Sequence, residues 1–175
     1  ERAAEAELLL TNKTPLSADV ITDLSQLKYI GVLATGYNVV DVAAARQRGI
    51  PVTNIPDYGT ESVAQHAIAL LLELCNSVQL HSDAVLAGEW TASPDFCFTK
   101  TPLIELAGKT MGIIGFGAIG RQTAYIAAAL GMKIMTVDRG KRIDGLSYDV
   151  QYVDLQTLLS ESDVISLHCP LTPDT

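Results

Sequence analysis

An α/β fold of parallel sheets is the class this sequence predicts, and three observations predict it. Short apolar runs of strand length alternate with capped, amphipathic stretches in residues 8–55, and again from residue 110 onward. Parallel strands joined by crossover helices produce that rhythm. A glycine-rich segment, "MGIIGFGAIG" at residues 111–120, joins one apolar run to the next helical stretch. The composition, 48% apolar and 18% charged, is that of a packed globular chain rather than a disordered one.

In the first stretch "LLLTN" (8–12) reads as a strand and "SADVITDL" (17–24) as a helix capped by Ser17. "YIGVLAT" (29–35) is a second strand. "DVAAARQRG" (41–49) is a helix capped by Asp41 and stopped by Gly49, and "PVTNI" (51–55) is a third strand. "PDYG" is turn chemistry, after which Thr60 or Glu61 opens one long helix. Its apolar positions Val63, Ala67, Leu70, Leu71 and Leu74 are spaced to bury one face. The span 61–90 is the expected boundary between a domain at 1–60 and one at 110–175. Residues 91–109, rich in aromatic residues and proline, read as an irregular arm, either covered by a partner subunit or packed as an ordinary loop. From residue 110 the pattern gives a strand, a helix at 118–131, a strand at 133–138, a polar loop, a short helix near 155–159 and a strand at 163–168. That is one βαβαβ unit with three strands.

Several function classes are disfavoured at once. A formal charge of −8 argues against nucleic acid and against an anionic membrane surface, while a small anionic substrate stays open because a local site can be positive. The longest apolar run, "AIALLL" at 67–72, is about a third of a membrane span. Nothing at the start resembles a secretion signal, so a cytoplasmic location is expected; "ERAAEAELLL" reads instead as a charged helix running into a strand, as if the chain began mid-domain. Cys75, Cys97 and Cys169 are expected to be reduced, mostly buried thiols, neither a disulfide frame nor a metal site.

Gly115, Gly117 and Gly120 form G-x-G-x-x-G between a strand and a helix, and the next strand ends on an acid, Asp138, eighteen positions after Gly120. The first glycine permits a tight turn. The second lets backbone approach a pyrophosphate, and the third lets the helix pack closely on the strand. The N–H groups of Ala118, Ile119 and Gly120 would face the anion from the positive end of the helix. Asp138 would accept the adenosine ribose hydroxyls and repel a 2′-phosphate, which favours NAD over NADP; the neighbouring Arg139 argues the other way. A glycine turn holding no ligand is the plainer reading, and the strand, helix and acid around the motif weigh against it.

With those residues in view, the sequence resembles the D-2-hydroxyacid dehydrogenases. "MGIIGFGAIG" is similar to that family's dinucleotide signature and "LLSESDVISLHCPLTPDT" (158–175) to its second. "YIGVLATGYNVVDVAAARQRGIPVTNIPDYGTESVAQH" and "SPDFCF…PLIELAGK" resemble the glycerate dehydrogenase, or hydroxypyruvate reductase, branch. The resemblance implies two Rossmann-like or flavodoxin-like parallel-sheet domains, both incomplete in this chain. It further implies reduction of a small 2-keto acid by hydride transfer from NAD(H), in a homodimer whose arm meets its partner. Thr35 and Gly36 in "LATGYN" match positions that bind the substrate carboxylate through backbone N–H groups. Ala118 and Ile119 match pyrophosphate contacts, Asp138 the ribose contact, and Cys169 and Pro170 the adenosine pocket. Val63 matches a position near the nicotinamide, and Thr175 another near the cofactor.

The family's substrate-clamping Arg, its proton-donating His and the Glu behind that His fall in motifs later than residue 175, so no catalytic residue is assigned in this span. His66, His81 and His168 do not match that His, and a helix-face, capping or structural role is expected for each. No Ser/His/Asp triad or metal-ligand spacing is present, and Arg121 is read as a helix-surface residue. Two departures from the family pattern are Ala118, where a basic residue is common, and "FTK" after Cys97, where an aromatic-acidic pair is usual. The 175 residues alone are expected to bind NAD without turnover. The alternative from another class is an NAD(H)-sensing regulator of the same fold.

Overall fold

Side-chain caps start the first two helices where the sequence places them. In the computed structural model, which describes residues 3–171, Ser17 Oγ accepts the Val20 N–H at 3.4 Å to open α1 (Ala18–Asp23). Asp41 Oδ1 accepts the Ala44 N–H at 2.9 Å to open α2 (Val42–Gln47), and Gly49, at φ +68°, ends it. With β1 (Leu8–Thr11), β2 (Tyr29–Val32) and β3 (Val52–Thr53) these helices form the first unit, Glu1–Gly59, a parallel sheet in the order β1-β2-β3. Ile21, Leu27, Ile30, Val32, Ala45 and Ile50 fill its core. The Arg48 guanidinium donates to the carbonyls of Ile21 and Leu24, satisfying the end of α1. β2 and β3 are shorter than the sequence reading: past Val32 only isolated backbone bonds remain, Leu33 N–H to the Thr11 carbonyl at 2.7 Å and Ile55 N–H to the Ala34 carbonyl at 3.1 Å, and the Thr35 carbonyl accepts Asn54 Nδ2 at 2.8 Å.

The second unit, Thr60–Thr175, begins with α3 (Thr60–Asn76), α4 (Val78–Leu86) and α5 (Glu89–Ala92). The single long helix expected over 61–90 is therefore corrected: α3 and α4 are bent by 61°, with Ser77 left-handed at φ +46° between them. Asn76 competes for a backbone partner, its Nδ2 donating to the Leu72 carbonyl at 3.2 Å, and the Ser77 hydroxyl accepts from Thr101 Oγ1 at 3.3 Å. The buried face of α3 is also corrected. Ala64, Ile68, Leu71 and Cys75 face inward, whereas Val63, Leu70 and Leu74 are exposed, Leu74 at 79%. Leu, Ile and Ala follow one another in this helix, so spacing alone could not choose its face. Among the described residues no single helix is long and apolar enough to cross a membrane.

The arm at 91–109 is tied down locally. His81 Nδ1 lies 2.8 Å from the Ser77 carbonyl and Nε2 accepts the Lys100 N–H at 3.0 Å, so one neutral tautomer serves both bonds. Phe98 stands edge-on to Trp90, and Lys100 Nζ pairs with Glu89 at 2.6 Å. His81→Ala is expected to lower stability by about 1 kcal/mol and to raise proteolytic cleavage within the arm, read by denaturant melts and limited proteolysis.

The remaining strands are β4 (Thr110–Ile114), β5 (Lys133–Val137), β6 (Val150–Val153) and β7 (Val164–Leu167), with α6 (Ala118–Ala129) and α7 (Leu155–Glu161) between them. The sheet is parallel throughout, in the order β6-β5-β4-β7. The sequence reading had three strands here and assigned none between its polar loop and the short helix, where β6 lies. The strand exists, with Ile134 paired to Val150 and Val137 to Val153, but its "VQYV" is too short and too enclosed by turn residues to register as a pattern. Met111, Gly112 and Ile113 are all buried because α6 covers one face of β4 and α7 the other. The α3 face packs with Ala124, Ala127, Met111, Ile113 and Ile134 into one core. Of the cysteines only Cys75 is buried; Cys97 is exposed and Cys169 half-buried, which corrects the expectation of mostly buried thiols, and all three are free.

Candidate functional site

The chain leaves β4 for α6 and β5 on one side, then returns through α7 to β7 on the other. Strand order thus reverses between β4 and β7, and in open parallel sheets such a reversal leaves a crevice beyond the carboxyl ends of the strands. The glycine turn follows β4 there, and His168, Cys169 and Pro170 follow β7. A cleft of about 340 Å³ opens between them, lined by Gly115, Phe116, Cys169 and Pro170, with Thr136, Val137 and Tyr152 from the neighbouring strands.

The three glycines are required for different reasons. Gly115 holds φ +101°, and a Cβ there would lie 2.3 Å from the Cys169 nitrogen and 2.4 Å from the His168 carbonyl carbon. A Cβ on Gly120 would lie 2.1 Å from the Gly115 carbonyl oxygen. The chain's own packing demands both. Gly117 is different: its φ is −77°, and a Cβ would meet no protein atom within 4 Å. Nothing inside the protein calls for glycine at this position, and the space its missing side chain leaves lies at the start of α6. The N–H groups of Ala118, Ile119 and Gly120 have no partner within the helix, and among the described residues no side-chain cap closes the start of α6. An anion such as a pyrophosphate fits this cradle.

Asp138 follows β5 and is one-third exposed. Its Oδ1 accepts the Gly140 N–H at 2.8 Å, and Arg142 Nη2 lies 3.5 Å from Oδ2. Val63 lies exposed near the start of α3. In the first unit, Thr35 and Gly36 are exposed in the loop after β2, where Thr35 Oγ1 donates to the Ile55 carbonyl at 3.2 Å. Thr175 lies outside the described residues. Sequence reasoning passed over several cleft residues. Arg121, read as a surface residue, donates from Nη1 to the Phe116 carbonyl at 3.3 Å and lines the cleft with Arg139 and Lys141. Tyr152 reaches the site only through β6, so nothing local in the sequence marked it.

His168 is not arranged for proton transfer. Its Nε2 lies 2.9 Å from Ser166 Oγ, and partial burial pushes its pKa below the ordinary value, favouring the neutral ring. At the far end of the sheet Asp163 Oδ2 accepts the Thr110 N–H at 2.8 Å, with Lys109 Nζ 3.6 Å from Oδ1. The hydrogen bond, helped by Lys109, holds this carboxyl below the usual range. A depressed carboxylate stabilises the fold above its unfolded pKa of about 4 and loses that effect as pH falls through the folded value. Asp163→Asn is therefore expected to lower the melting temperature at neutral pH, with the gap from wild type narrowing as pH falls below the ordinary carboxylate range. Among the described residues no three His, Cys, Asp or Glu side chains are grouped to hold a metal ion.

Residues 68–175 match the family model described as D-isomer specific 2-hydroxyacid dehydrogenase, NAD binding domain. The chain is 53% identical over 174 residues to a hydroxypyruvate reductase of Blautia hydrogenotrophica, covering 99% of this chain and 54% of that protein. It is 45% identical over 175 residues to a glycerate dehydrogenase of Methylorubrum extorquens, covering 100% of this chain and 54% of the relative. Among solved structures, a D-lactate dehydrogenase of Aquifex aeolicus complexed with NAD and lactic acid superposes with a TM-score of 0.85 at 34% identity, covering 99% of this chain and 51% of that one. The chain spans about half the length of the curated relatives it matches.

Proposed function

We propose, for a chain that belongs to the D-isomer specific 2-hydroxyacid dehydrogenase family, that the protein reduces a small 2-keto acid, hydroxypyruvate or glyoxylate, with NADH. Residues 1–60 are then part of the substrate domain and residues 110–175 the first half of the NAD-binding domain. The observation that carries the cofactor assignment is Gly117, a glycine with no steric need for being one, placed at the uncapped start of α6. The names of the hydroxypyruvate reductase and glycerate dehydrogenase relatives support the substrate class.

In this reading the N–H groups of Ala118, Ile119 and Gly120 hold the pyrophosphate and Asp138 accepts the ribose hydroxyls. Cys169 and Pro170 wall the adenosine, Val63 and Thr175 lie near the cofactor, and Thr35 and Gly36 orient the acid's carboxylate. The bound dinucleotide supplies a hydride to the keto carbon. The proton and the positive clamp on the acid come from an Arg and a Glu-backed His beyond residue 175, so this span contributes binding and orientation. Cytoplasmic residence is part of the same reading, supported by three free cysteines. A homodimer is part of it too, supported by apolar side chains left open on α3, α4 and the arm: Leu74 at 79%, Leu86 at 82% and Phe96 at 91% exposure.

The full-length protein is expected to oxidise NADH only when a 2-keto acid is supplied, with hydroxypyruvate or glyoxylate preferred over pyruvate, as read by NADH absorbance. Residues 1–175 alone are expected to show no turnover. Robust turnover by that piece would move the catalytic groups into this chain and contradict the assignment.

A further inference from the structure

The loop after β2 is held by a side-chain bond that the sheet itself does not call for. Residues 35–38 are exposed. Backbone fixes the far end of the loop, where the Leu16 N–H donates to the Val39 carbonyl at 2.7 Å and the Asp41 N–H to the Leu16 carbonyl at 2.9 Å. At the near end the Ile55 N–H donates to the Ala34 carbonyl at 3.1 Å, and Thr35 Oγ1 donates to the Ile55 carbonyl at 3.2 Å. These bonds leave the Thr35 carbonyl to half-buried Asn54, whose Nδ2 donates to it at 2.8 Å. Packing does not fix the peptide that follows, since a Cβ on Gly36 would meet one atom within 4 Å, Asn38 Oδ1 at 3.4 Å. Among the described residues no acceptor takes the Gly36 N–H.

We infer that Asn54 is a positioning residue for the acid substrate: by gripping the Thr35 carbonyl it aims the Gly36 N–H at the substrate's carboxylate. The inference deepens the proposed function and rests on Thr35 and Gly36 being the carboxylate contacts. The Thr35 carbonyl and the Gly36 N–H belong to one planar peptide, in which the two groups point in opposite directions. Holding the carbonyl toward Asn54 therefore holds the N–H away from it, on the side open to a ligand. Without that grip the peptide adjoins an unhindered glycine and turns freely. Its N–H is then ordered only when substrate binds, and the cost of that ordering is taken from affinity. A side-chain amide suits the task because its NH₂ can donate to the carbonyl, whereas an aliphatic side chain of the same size cannot.

Steady-state kinetics of the full-length protein with NADH and hydroxypyruvate read the effect. Asn54→Leu, which keeps the volume and removes the donor, is expected to raise the KM for hydroxypyruvate about tenfold. Its kcat should stay within about threefold of wild type, and its NADH dissociation constant within about twofold. Asn54→Gln keeps a donor and is expected to raise KM less than about threefold. A KM for Asn54→Leu within about twofold of wild type, an equal loss of NADH affinity, or an Asn54→Gln loss as large as that of Asn54→Leu overturns the proposal. The wild-type protein supplies a check that no variant's folding affects. With NADH bound, oxamate, an unreactive carboxylate analogue of a 2-keto acid, is expected to shift the Gly36 amide resonance saturably. An unmoved Gly36 amide defeats the carboxylate reading of the loop and the inference with it. A shifted amide beside unchanged kinetics in Asn54→Leu defeats the inference alone.

Discussion

Replacing Gly115 with alanine is expected to destabilise the second unit by about 3 kcal/mol or more. Two independent effects add at this position. The backbone holds φ +101°, which an L side chain adopts only under strain, and the new methyl would sit 2.3 Å from the Cys169 nitrogen. That contact and the one at 2.4 Å to the His168 carbonyl carbon are with main chain, which has no rotamer to escape into. Relief requires the segment after β7 to move away from the segment after β4, and these two segments wall the cleft. The variant should lose about 10 °C or more in melting temperature and should bind NADH weakly at any temperature where it is folded. A melting temperature within about 2 °C of wild type would show that the turn has room that the structure denies it.

Gly117→Val separates binding from folding. The valine Cβ meets no protein atom within 4 Å and φ is −77°, so stability is expected to stay within about 1 kcal/mol of wild type. NADH affinity is expected to fall about a hundredfold or more, because the side chain would fill the space the pyrophosphate needs at the N–H groups of Ala118 and Ile119. The two substitutions make opposite statements about neighbouring glycines. Thermal melts and NADH titrations of both variants read them together, and equal behaviour of the pair would remove the distinction.

That distinction was partly legible in the sequence. The order strand, G-x-G-x-x-G, helix, strand, acid placed the turn, α6, β5 and Asp138 before any coordinates, because each carries a local signal: apolar runs, glycines and a strand-terminal acid. Ser17 and Asp41 as caps and Gly49 as a stop were legible for the same reason, since capping is chemistry between near neighbours. What was illegible depends on distant partners. The inward face of α3 is chosen by the small-residue face of α6, where Gly120, Thr123, Ala124 and Ala127 are buried, and an apolar helix does not announce which side meets it. The break at Ser77 hides inside a continuing apolar rhythm. β6 becomes a strand because β5 offers it a ladder, and it brings Tyr152 to the cleft. Arg121 and Arg142 follow the same logic. Their partners, the Phe116 carbonyl and the Asp138–Tyr152 pair, depend on how the turn, the loop and the strand fold back on one another.

The measurement that bears most directly on the dinucleotide assignment is amide chemical-shift mapping of the full-length protein titrated with NADH. The expected result is that the largest saturable shifts fall on the amides of Gly117, Ala118, Ile119 and Gly120, with smaller ones around Asp138 and Cys169. Unchanged amides at these positions at about 1 mM NADH, or saturable shifts confined to other parts of the chain, would contradict it.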